Sequence, residues 1–244
     1  MALGPHARAR EARLERLAAI GTMVAGFAHE VLNPVASMRA LAEALRDELT
    51  DIGRSYPHID RMLKVLDRME RLVRTSLQFG RPAPPRRSRH RPWTLLSQAL
   101  EAIAPRVAGS GQEIRVEVEP DLPDLFVDES QLTQVLVILL NNALDATESP
   151  RQVLLRARRT AFGVLLEVQD EGEGIDPEVL ERIFDPFFTT KATGTGLGLP
   201  IAQQLVQENG GLLEWESGEL TTFLVYCPIW RSDDVSDRPG GSAA

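Results

Sequence analysis

A histidine with polar neighbours is the first feature of this sequence that could do chemistry. It lies in residues 29–34 (HEVLNP), inside a run with helical periodicity. Asn33 follows His29 by four residues, so both side chains share one face of a helix, and Glu30 is adjacent. An imidazole nucleophile needs access, a neighbouring base and an orienting polar group, and this spacing supplies all three. Asn33 excludes the HExxH zinc motif; an idle, solvated histidine is the other interpretation.

Two glycine-rich segments have residue types that suit a nucleotide. Residues 170–175 (DEGEGI) close a predicted strand, where a buried carboxylate can accept a hydrogen bond from an exocyclic amine. Glycine there lets the backbone approach a flat ring. Residues 194–199 (GTGLGL) precede a predicted helix whose first amides suit phosphates, without the Gly-Lys-Ser/Thr of a Walker loop. Each segment alone is also typical of a turn or a connector.

Asn141, Asn142 and Lys191 could complete such a site. Asparagines in a helix with a buried apolar face destabilise it unless a partner satisfies them. An amide oxygen on Mg²⁺ is one such arrangement, and helix capping or solvent exposure is the alternative. Lys191 is one of two lysines among 27 basic residues, and it follows an aromatic segment, residues 184–188. A cation at this place could neutralise phosphate.

The histidine needs a helical support, and residues 1–80 provide its pattern. Apolar residues recur at three-four spacing from residue 14 to 52 and from 59 to 77, with turn chemistry at 53–57. This pattern predicts an antiparallel helical hairpin. Two helices alone bury their apolar faces poorly, so we expect the hairpin to dimerise into a four-helix bundle. A charge at Leu66 is expected to disrupt that dimer.

The glycine-rich segments lie in a region with mixed periodicity. Residues 81–92 are rich in proline and arginine and are predicted to be a stiff linker, and residues 231–244 a disordered tail. Between them, residues 93–230 predict an α/β sandwich. Asp128 begins one of its helices in a capping-box arrangement with Gln131. Helices are expected at 93–107, 128–146 and 197–208, and strands at 113–118, 125–127, 153–158, 164–169, 212–216 and 222–227.

Composition excludes several classes of protein. A net charge of −8 argues against nucleic-acid binding. The single cysteine, Cys227, cannot form an internal disulfide, and a reducing compartment is the natural interpretation. No run of about 18 apolar residues occurs, so we expect no membrane span in this chain. The N-terminus lacks the pattern of a signal peptide, and a sensor module is expected to be absent or separate.

Taken in order, these segments resemble a known architecture over about residues 12–230. It is the cytoplasmic catalytic core of a bacterial two-component sensor histidine kinase of the nitrogen-regulation-like type, a HisKA hairpin followed by a GHKL (Bergerat-type) ATP-binding domain. HEVLNP resembles the phosphoacceptor motif, QVLVILLNNALDA the asparagine box, and DEGEGI the first glycine box. FDPFFTTK with GTGLGL resembles the lid and the second glycine box.

The resemblance implies an ATP-dependent protein-histidine autokinase that uses Mg²⁺ and passes its phosphoryl group to an aspartate of a response regulator receiver domain. It also implies phosphatase activity. By position, His29 is the phosphorylated nucleophile, Glu30 its base and Asn33 the residue that orients water for phosphatase action. Asn142 is the expected Mg²⁺ ligand and Asp170 the adenine-reading carboxylate. The other expected nucleotide contacts are Gly172, Gly174, Thr190, Lys191, Gly194, Thr195, Gly196, Leu197 and Gly198.

One departure from the family pattern leaves an alternative open. Ile138 stands four residues before Asn142, where the family has another asparagine, and it can neither bind metal nor polarise water. Asn141 lies about 100° around the helix from Asn142. The alternative is an ATP-binding degenerate kinase that acts as a phosphatase or signalling scaffold. A GHKL ATPase of the chaperone, gyrase or mismatch-repair kind would lack the histidine-bearing hairpin, and a coiled-coil protein would lack the glycine boxes.

Overall fold

The chain divides into two compact units, residues 1–83 and 84–244. The computed structural model describes residues 31–49, 57–80, 84–108, 110–147, 152–161, 163–191, 194–218 and 220–231. Residues 53–56 of the predicted turn and the tail from residue 232 lie outside these ranges. Among the helices within them, none combines the length and the apolar character that a bilayer crossing needs.

Two helices, α1 (residues 31–49) and α2 (Pro57–Gly80), make up the described part of the first unit. An ion pair between Arg39 and Asp67 joins them. Their shared core also receives the partly buried Val31 and Leu49. The buried core side chains are Val35, Ala42, Ile59, Leu63 and Leu66. The helical character predicted for both segments is confirmed.

A second apolar face of the hairpin lies beside this core and is open to solvent. Its side chains are between 38% and 72% exposed: Met38, Leu41, Leu45, Met62, Val65 and Met69. Leu66 is only 4% exposed and belongs to the core of the single hairpin. A charge at Leu66 would therefore disrupt packing within one protomer first, and its effect on a dimer stays a prediction. The three-four pattern marks both faces and does not distinguish them.

A five-stranded mixed sheet forms one layer of the second unit. Its strands are β2 (Glu113–Val118), β4 (Gln152–Thr160), β5 (Gly163–Asp170), β6 (Leu212–Ser217) and β7 (Thr221–Cys227). They are arranged in the order β2-β4-β5-β7-β6, with β2 parallel to β4 and the other neighbours antiparallel. Two short strands, β1 (Ser88–His90) and β3 (Leu125–Val127), pair separately.

Three helices form the second layer: α3 (Pro92–Val107), α4 (Glu129–Ala146) and α5 (Gly198–Glu208). Helix α4 lies between the other two and packs on β4 and β5. Side chains along β4 alternate between the two faces of the sheet. Leu155 is buried under the helices, whereas Arg156 and Arg158 form ion pairs with Glu167. The predicted α/β sandwich is confirmed.

The N-terminal end of α4 is fixed by polar contacts. The Asp128 carboxylate accepts a hydrogen bond from the Gln131 backbone N–H at 3.1 Å, as the predicted cap requires. The Gln131 side chain does not complete a capping box; it accepts from Asn209 Nδ2 at 2.8 Å instead. The Asp128 backbone N–H donates to Asn209 Oδ1 at 2.6 Å. Asn209, the predicted stop of α5, therefore ties the end of α5 to the start of α4.

The structure corrects the linker prediction from residue 84 onward. Residues 88–90 form β1, and the Arg86 backbone N–H donates to the Asp128 carboxylate at 2.8 Å. Arg89 pairs with Asp124 at 2.5 Å and lies over the Trp230 ring at 4.4 Å. This strand has no apolar alternation because backbone pairing and arginine contacts hold it, so periodicity could not reveal it.

Candidate functional site

Asp170 is a buried carboxylate at the end of the central strand β5. It is 3% exposed and lies opposite Thr221 of β7, on the sheet face that the helices cover. Burial raises its pKa, partly offset by the 3.0 Å hydrogen bond from the Gly172 N–H and by the positive charge of Lys191. A carboxylate held this way, with no ion pair to another described residue, can accept a hydrogen bond from a ligand.

The loop after Asp170 runs against the C-terminal end of α4. A Cβ atom at Gly172 would lie 2.7 Å from the Ala146 carbonyl oxygen, so only glycine allows this approach. Gly174 has φ +81°, a backbone conformation that favours glycine. A pocket of about 480 Å³ opens beside Gly174, lined also by Ile175, Leu180 and Gly218. Gly172 therefore brings the loop after Asp170 to the end of α4, and the pocket lies further along the same loop.

Lys191 also reaches this end of α4. Its Nζ lies 2.7 Å from Asp145 Oδ2, and the Lys191 N–H donates to Thr189 Oγ1 at 3.1 Å. Thr190 beside it is exposed. The structure thus places the predicted phosphate cation near Asp170 and within one helical turn of Asn142.

The two neighbouring asparagines of α4 have different roles. Asn141 Oδ1 accepts from Arg106 at 2.7 Å and its Nδ2 donates to the Val137 carbonyl at 2.8 Å. The half-buried Asn142 side chain forms no hydrogen bond with the residues that the structure describes. Asn142 is thus the amide left for a ligand, whereas Asn141 belongs to the contact between α3 and α4.

Ile138 packs toward the start of α5. Its Cγ2 lies 3.3 Å from the place where a Cβ on Gly198 would be. The side chain is half-buried. An apolar contact between two helices therefore occupies the position where the family resemblance predicted a second amide.

The second glycine segment lies against the aromatic segment. Gly196 has φ +67°, a Cβ there would lie 2.6 Å from the Phe188 backbone nitrogen, and its carbonyl accepts from the Phe187 N–H at 3.0 Å. Phe184 is buried and packs on Trp215, with ring centroids 5.3 Å apart. Gly194 N–H donates to the Lys191 carbonyl at 3.1 Å. These contacts fix the loop that leads into α5.

The N-terminal end of α5 follows this loop directly. Thr195 Oγ1 accepts from the Leu197 N–H at 3.3 Å, and the Leu197 side chain is fully buried. Helix α5 begins at Gly198, with Pro200 in its first turn. The structure therefore brings the predicted residues 194–198 into one turn, with the first amides of a helix at its end.

Two predicted catalytic residues lie outside the described residues: His29 and Glu30. Asn33 is exposed on α1, in the first unit. Two functional candidates were missed by the sequence analysis, Arg106 and Asp145, which contact each other at 2.5 Å. They are 39 residues apart. Asp145 lies in the segment that resembles the asparagine box but was given no role there, and Arg106 belongs to no motif, so only the packing of α3 on α4 reveals their contact.

Two family matches cover most of the described chain. Residues 19–84 match the His Kinase A (phospho-acceptor) domain, and residues 127–231 match the histidine kinase-, DNA gyrase B- and HSP90-like ATPase. The order of the two domains decides the family. The chain belongs to the sensor histidine kinases. It has the protein histidine kinase architecture, with a helical phosphoacceptor region followed by an α/β ATPase domain.

Named relatives agree with this assignment of the sensor kinase core. The sensor histidine kinase ZraS of Escherichia coli (strain K12) is 32% identical over 219 residues, 89% of this chain and 47% of ZraS. The sensory histidine kinase/phosphatase NtrB of Vibrio alginolyticus is 30% identical, over 94% of this chain and 66% of NtrB. The crystal structure of full-length ShkA with AMPPNP has a TM-score of 0.72 and 27% identity over 86% of this chain and 46% of ShkA. The chain spans about half the length of ZraS and ShkA.

The residues at the end of α4 could hold Mg²⁺ only if phosphates supplied most of its ligands. Within the described ranges, no group of three or more His, Cys, Asp or Glu side chains could hold a metal. Asn142 offers one amide oxygen, and Mg²⁺ in such sites keeps water and substrate phosphates as its other ligands. The donor set is therefore sufficient when a nucleotide is present.

Asp170→Asn should weaken ATP binding about tenfold or more while the fold is retained, because an amide can present a donor where the adenine amine needs an acceptor. GTP, which has a carbonyl in place of that amine, should bind poorly to the wild type. Calorimetric titration with both nucleotides measures this. Asp124→Asn, the same change in a residue that pairs with Arg89 before the start of α4, is the control. Equal wild-type affinity for ATP and GTP would contradict the role of Asp170.

Ile138→Asn should lower the Mg²⁺ concentration needed for half-maximal ATP binding or raise the phosphorylation rate, because it restores an amide one turn before Asn142. Ile138→Ala, which removes the contact with Gly198 without adding an amide, is the control. Rate against Mg²⁺ and thermal stability are measured for all three proteins. An Asn variant less stable by about 1–3 kcal/mol, as for an unsatisfied buried amide, and no faster would show that Ile138 is a packing residue only.

Proposed function

We propose that the chain is an ATP-dependent autokinase that phosphorylates His29 and transfers the phosphoryl group to an aspartate of a response regulator receiver domain. One observation carries this proposal: the loop after Asp170 packs on Ala146 and Lys191 pairs with Asp145, so both reach the turn of α4 that follows Asn142. The first unit of the same chain contains HEVLNP. ShkA, of the same fold, binds AMPPNP. We place the reaction in the cytoplasm, as the resemblance implies.

The phosphoryl transfer follows from the chemistry of the residues. A neutral His29 nitrogen attacks the γ-phosphorus in line, the N–P bond forms, and the bond from phosphorus to the bridging oxygen of ADP breaks. Glu30 accepts the proton that the imidazole loses. Positioning and charge neutralisation supply most of the acceleration in such transfers.

The nucleotide is held by groups with separate tasks. Asp170 reads the adenine amine, and the backbones of residues 172–174 and 194–198 approach the ring and the phosphates. Lys191 brings a positive charge to the phosphates. Asn142 would hold Mg²⁺ together with the phosphates, and the ion would supply charge neutralisation there.

Asn33 supports a second activity on the same helix. The phosphoimidazole passes its group to the partner aspartate, and a water held by the Asn33 amide then attacks the aspartyl phosphate. The NtrB relative is described as a kinase/phosphatase. Asn33 is exposed on α1, where a water and the receiver domain can reach its amide.

A second candidate function rests on one specific observation. Ile138 is apolar and Asn141 is committed to Arg106 and Val137, so a single amide, Asn142, remains in this part of α4. A kinase with little metal affinity could bind ATP and act chiefly as a phosphatase or scaffold. The HEVLNP segment favours the autokinase, since a scaffold does not need the adjacent carboxylate Glu30.

His29→Gln should abolish labelling by γ-labelled ATP, because the acceptor nitrogen is removed. Glu30→Ala should reduce mainly autophosphorylation, on the order of a hundredfold for a lost general base. Asn33→Ala should reduce mainly dephosphorylation of the regulator. The label should be labile in acid and stable in alkali. Label that persists in the His29→Gln protein would show that another residue is the acceptor and that the central assignment fails.

Leu41→Asp should convert a dimer into monomers while helix content is retained, because Leu41 is 72% exposed on the open apolar face. Leu66→Asp should lose helix content as well, since a buried unpaired charge is costly. Ala40→Asp, on the polar side of α1, should change neither. Sedimentation and circular dichroism measure both quantities. A wild type that is monomeric at micromolar concentration with folded helices would refute the dimer.

A further inference from the structure

One carboxylate connects two cations at the end of α4. Lys191 Nζ lies 2.7 Å from Asp145 Oδ2, and Arg106 Nη2 lies 2.5 Å from Asp145 Oδ1. The other nitrogen of the same guanidinium, Nη1, donates to Asn141 Oδ1 at 2.7 Å. Each oxygen of Asp145 therefore has its own partner, and Arg106 binds two residues one turn apart on α4.

The position of this carboxylate puts the Lys191 ammonium in the nucleotide site. Asp145 follows Asn142 by three residues, so the two side chains are neighbours on one helix face. The next residue, Ala146, is the one against which Gly172 packs. The Lys191 charge is close enough to Asp170 to lower the pKa of that carboxyl. The ammonium is thus within electrostatic range of Asp170, the carboxylate proposed to read adenine, and contacts the residue one turn after Asn142, the expected metal ligand.

We propose that Asp145 is a positioning residue that sets where the Lys191 ammonium meets the nucleotide phosphates, and that Arg106 fixes the Asp145 carboxylate in the orientation this requires. The proposal rests on the proposed function. Lysine has a long, flexible side chain, and ordering it on a ligand costs conformational entropy. Asp145 orders it before the ligand arrives.

The contacts leave Lys191 able to serve both partners at once. An ammonium group has three donors, and the bond to Asp145 uses one of them. Two hydrogen bonds hold the Lys191 backbone, one to Thr189 Oγ1 and one from the Gly194 N–H, each 3.1 Å long. With backbone and Nζ both fixed, the remaining two donors have defined directions for phosphate oxygens.

Two other roles for Asp145 make opposite predictions. If Asp145 competed with phosphate for Lys191, removing its charge would tighten ATP binding. If it served only to join α3 to α4, removing its charge would weaken all ligands alike together with thermal stability. If Asp145 positions Lys191, removing the Asp145 charge weakens only the part of the nucleotide affinity that the second and third phosphates contribute.

The experiment measures AMP, ADP and ATP binding by calorimetry for the wild type, Asp145→Asn, Lys191→Met and the double variant. Asp145→Asn should leave AMP affinity unchanged and weaken ADP and ATP binding about fivefold, the scale of a partly exposed ion pair. In the Lys191→Met background the same change should have no further effect. Asp145→Glu, which keeps the charge, should retain most of the phosphate-dependent affinity.

A matched control is available at the other end of the second unit. Asp124 pairs with Arg89 at 2.5 Å, before the start of α4, and Asp124→Asn should change none of the three affinities. Tighter ATP binding in Asp145→Asn, an equal loss for AMP and ATP, or additive losses in the double variant would overturn the proposal. A wild type that binds ATP without phosphorylating His29 would contradict the proposed function but would not affect the conclusion about Asp145. A wild type that binds no adenine nucleotide would overturn both the proposed function and the role of Asp145.

Discussion

The rotation of helix α4 about its own axis is the constraint on which the second unit depends. Its apolar side is fully buried, with Leu136, Leu139 and Leu140 each 0% exposed. Because these side chains must stay buried, the helix can have only one rotation about its axis. That rotation determines which residues the polar side chains of its last turns contact. Asp145 comes between Lys191 and Arg106, and Asn141, one turn earlier, also comes to Arg106 of α3. Asn142, 100° around the helix from Asn141, makes no such contact with the described residues.

The two ends of α4 are held by different contacts. The residues that stabilise its first turn are therefore separate from those proposed to bind the ligand. At the first end, Asp128 caps the helix and the buried Asn209 links it to α5. This end is about 27 Å from the other, at 1.5 Å per residue over 18 residues. The polar groups that hold the first turn are thus not the groups proposed to contact the nucleotide, and Asn142, near the other end, keeps its side chain free of hydrogen bonds to the described residues.

Two carboxylates of the site differ in how their charge is balanced. Burial raises the pKa of Asp170, and neither the Gly172 N–H nor the Lys191 charge fully offsets it. Burial also raises the pKa of Asp145, but hydrogen bonds from Lys191 and Arg106 outweigh it and leave the pKa below its ordinary value. Asp145 is therefore a committed partner of two cations, whereas Asp170 retains acceptor capacity for a ligand amine.

Local chemistry made most elements predictable from the sequence, and long-range packing decided the rest. The start of α4 and the end of α5 follow from Asp128 and Asn209, which act on their own helices. Strand β1 is polar and is held by pairing with β3, so its sequence lacks the apolar–polar alternation that would predict a strand. The pairing of Asp145 with Lys191 joins residues 46 apart, and the burial of Leu66 within one hairpin depends on how α1 and α2 face each other.

The same contacts give a physical reason for a lysine at position 191 in a chain where nearly all other basic residues are arginine. A guanidinium presents a planar fork that matches a carboxylate with two parallel hydrogen bonds. Oδ1 of Asp145 is already bound to Arg106, so the guanidinium of an arginine at position 191 would compete with Arg106 for the same oxygens. A compact ammonium needs only Oδ2 and keeps donors for a phosphate. In the proposed nucleotide complex, with Ile138 in place of an amide, we expect that retained positive charge to take a larger share of the neutralisation of the phosphates.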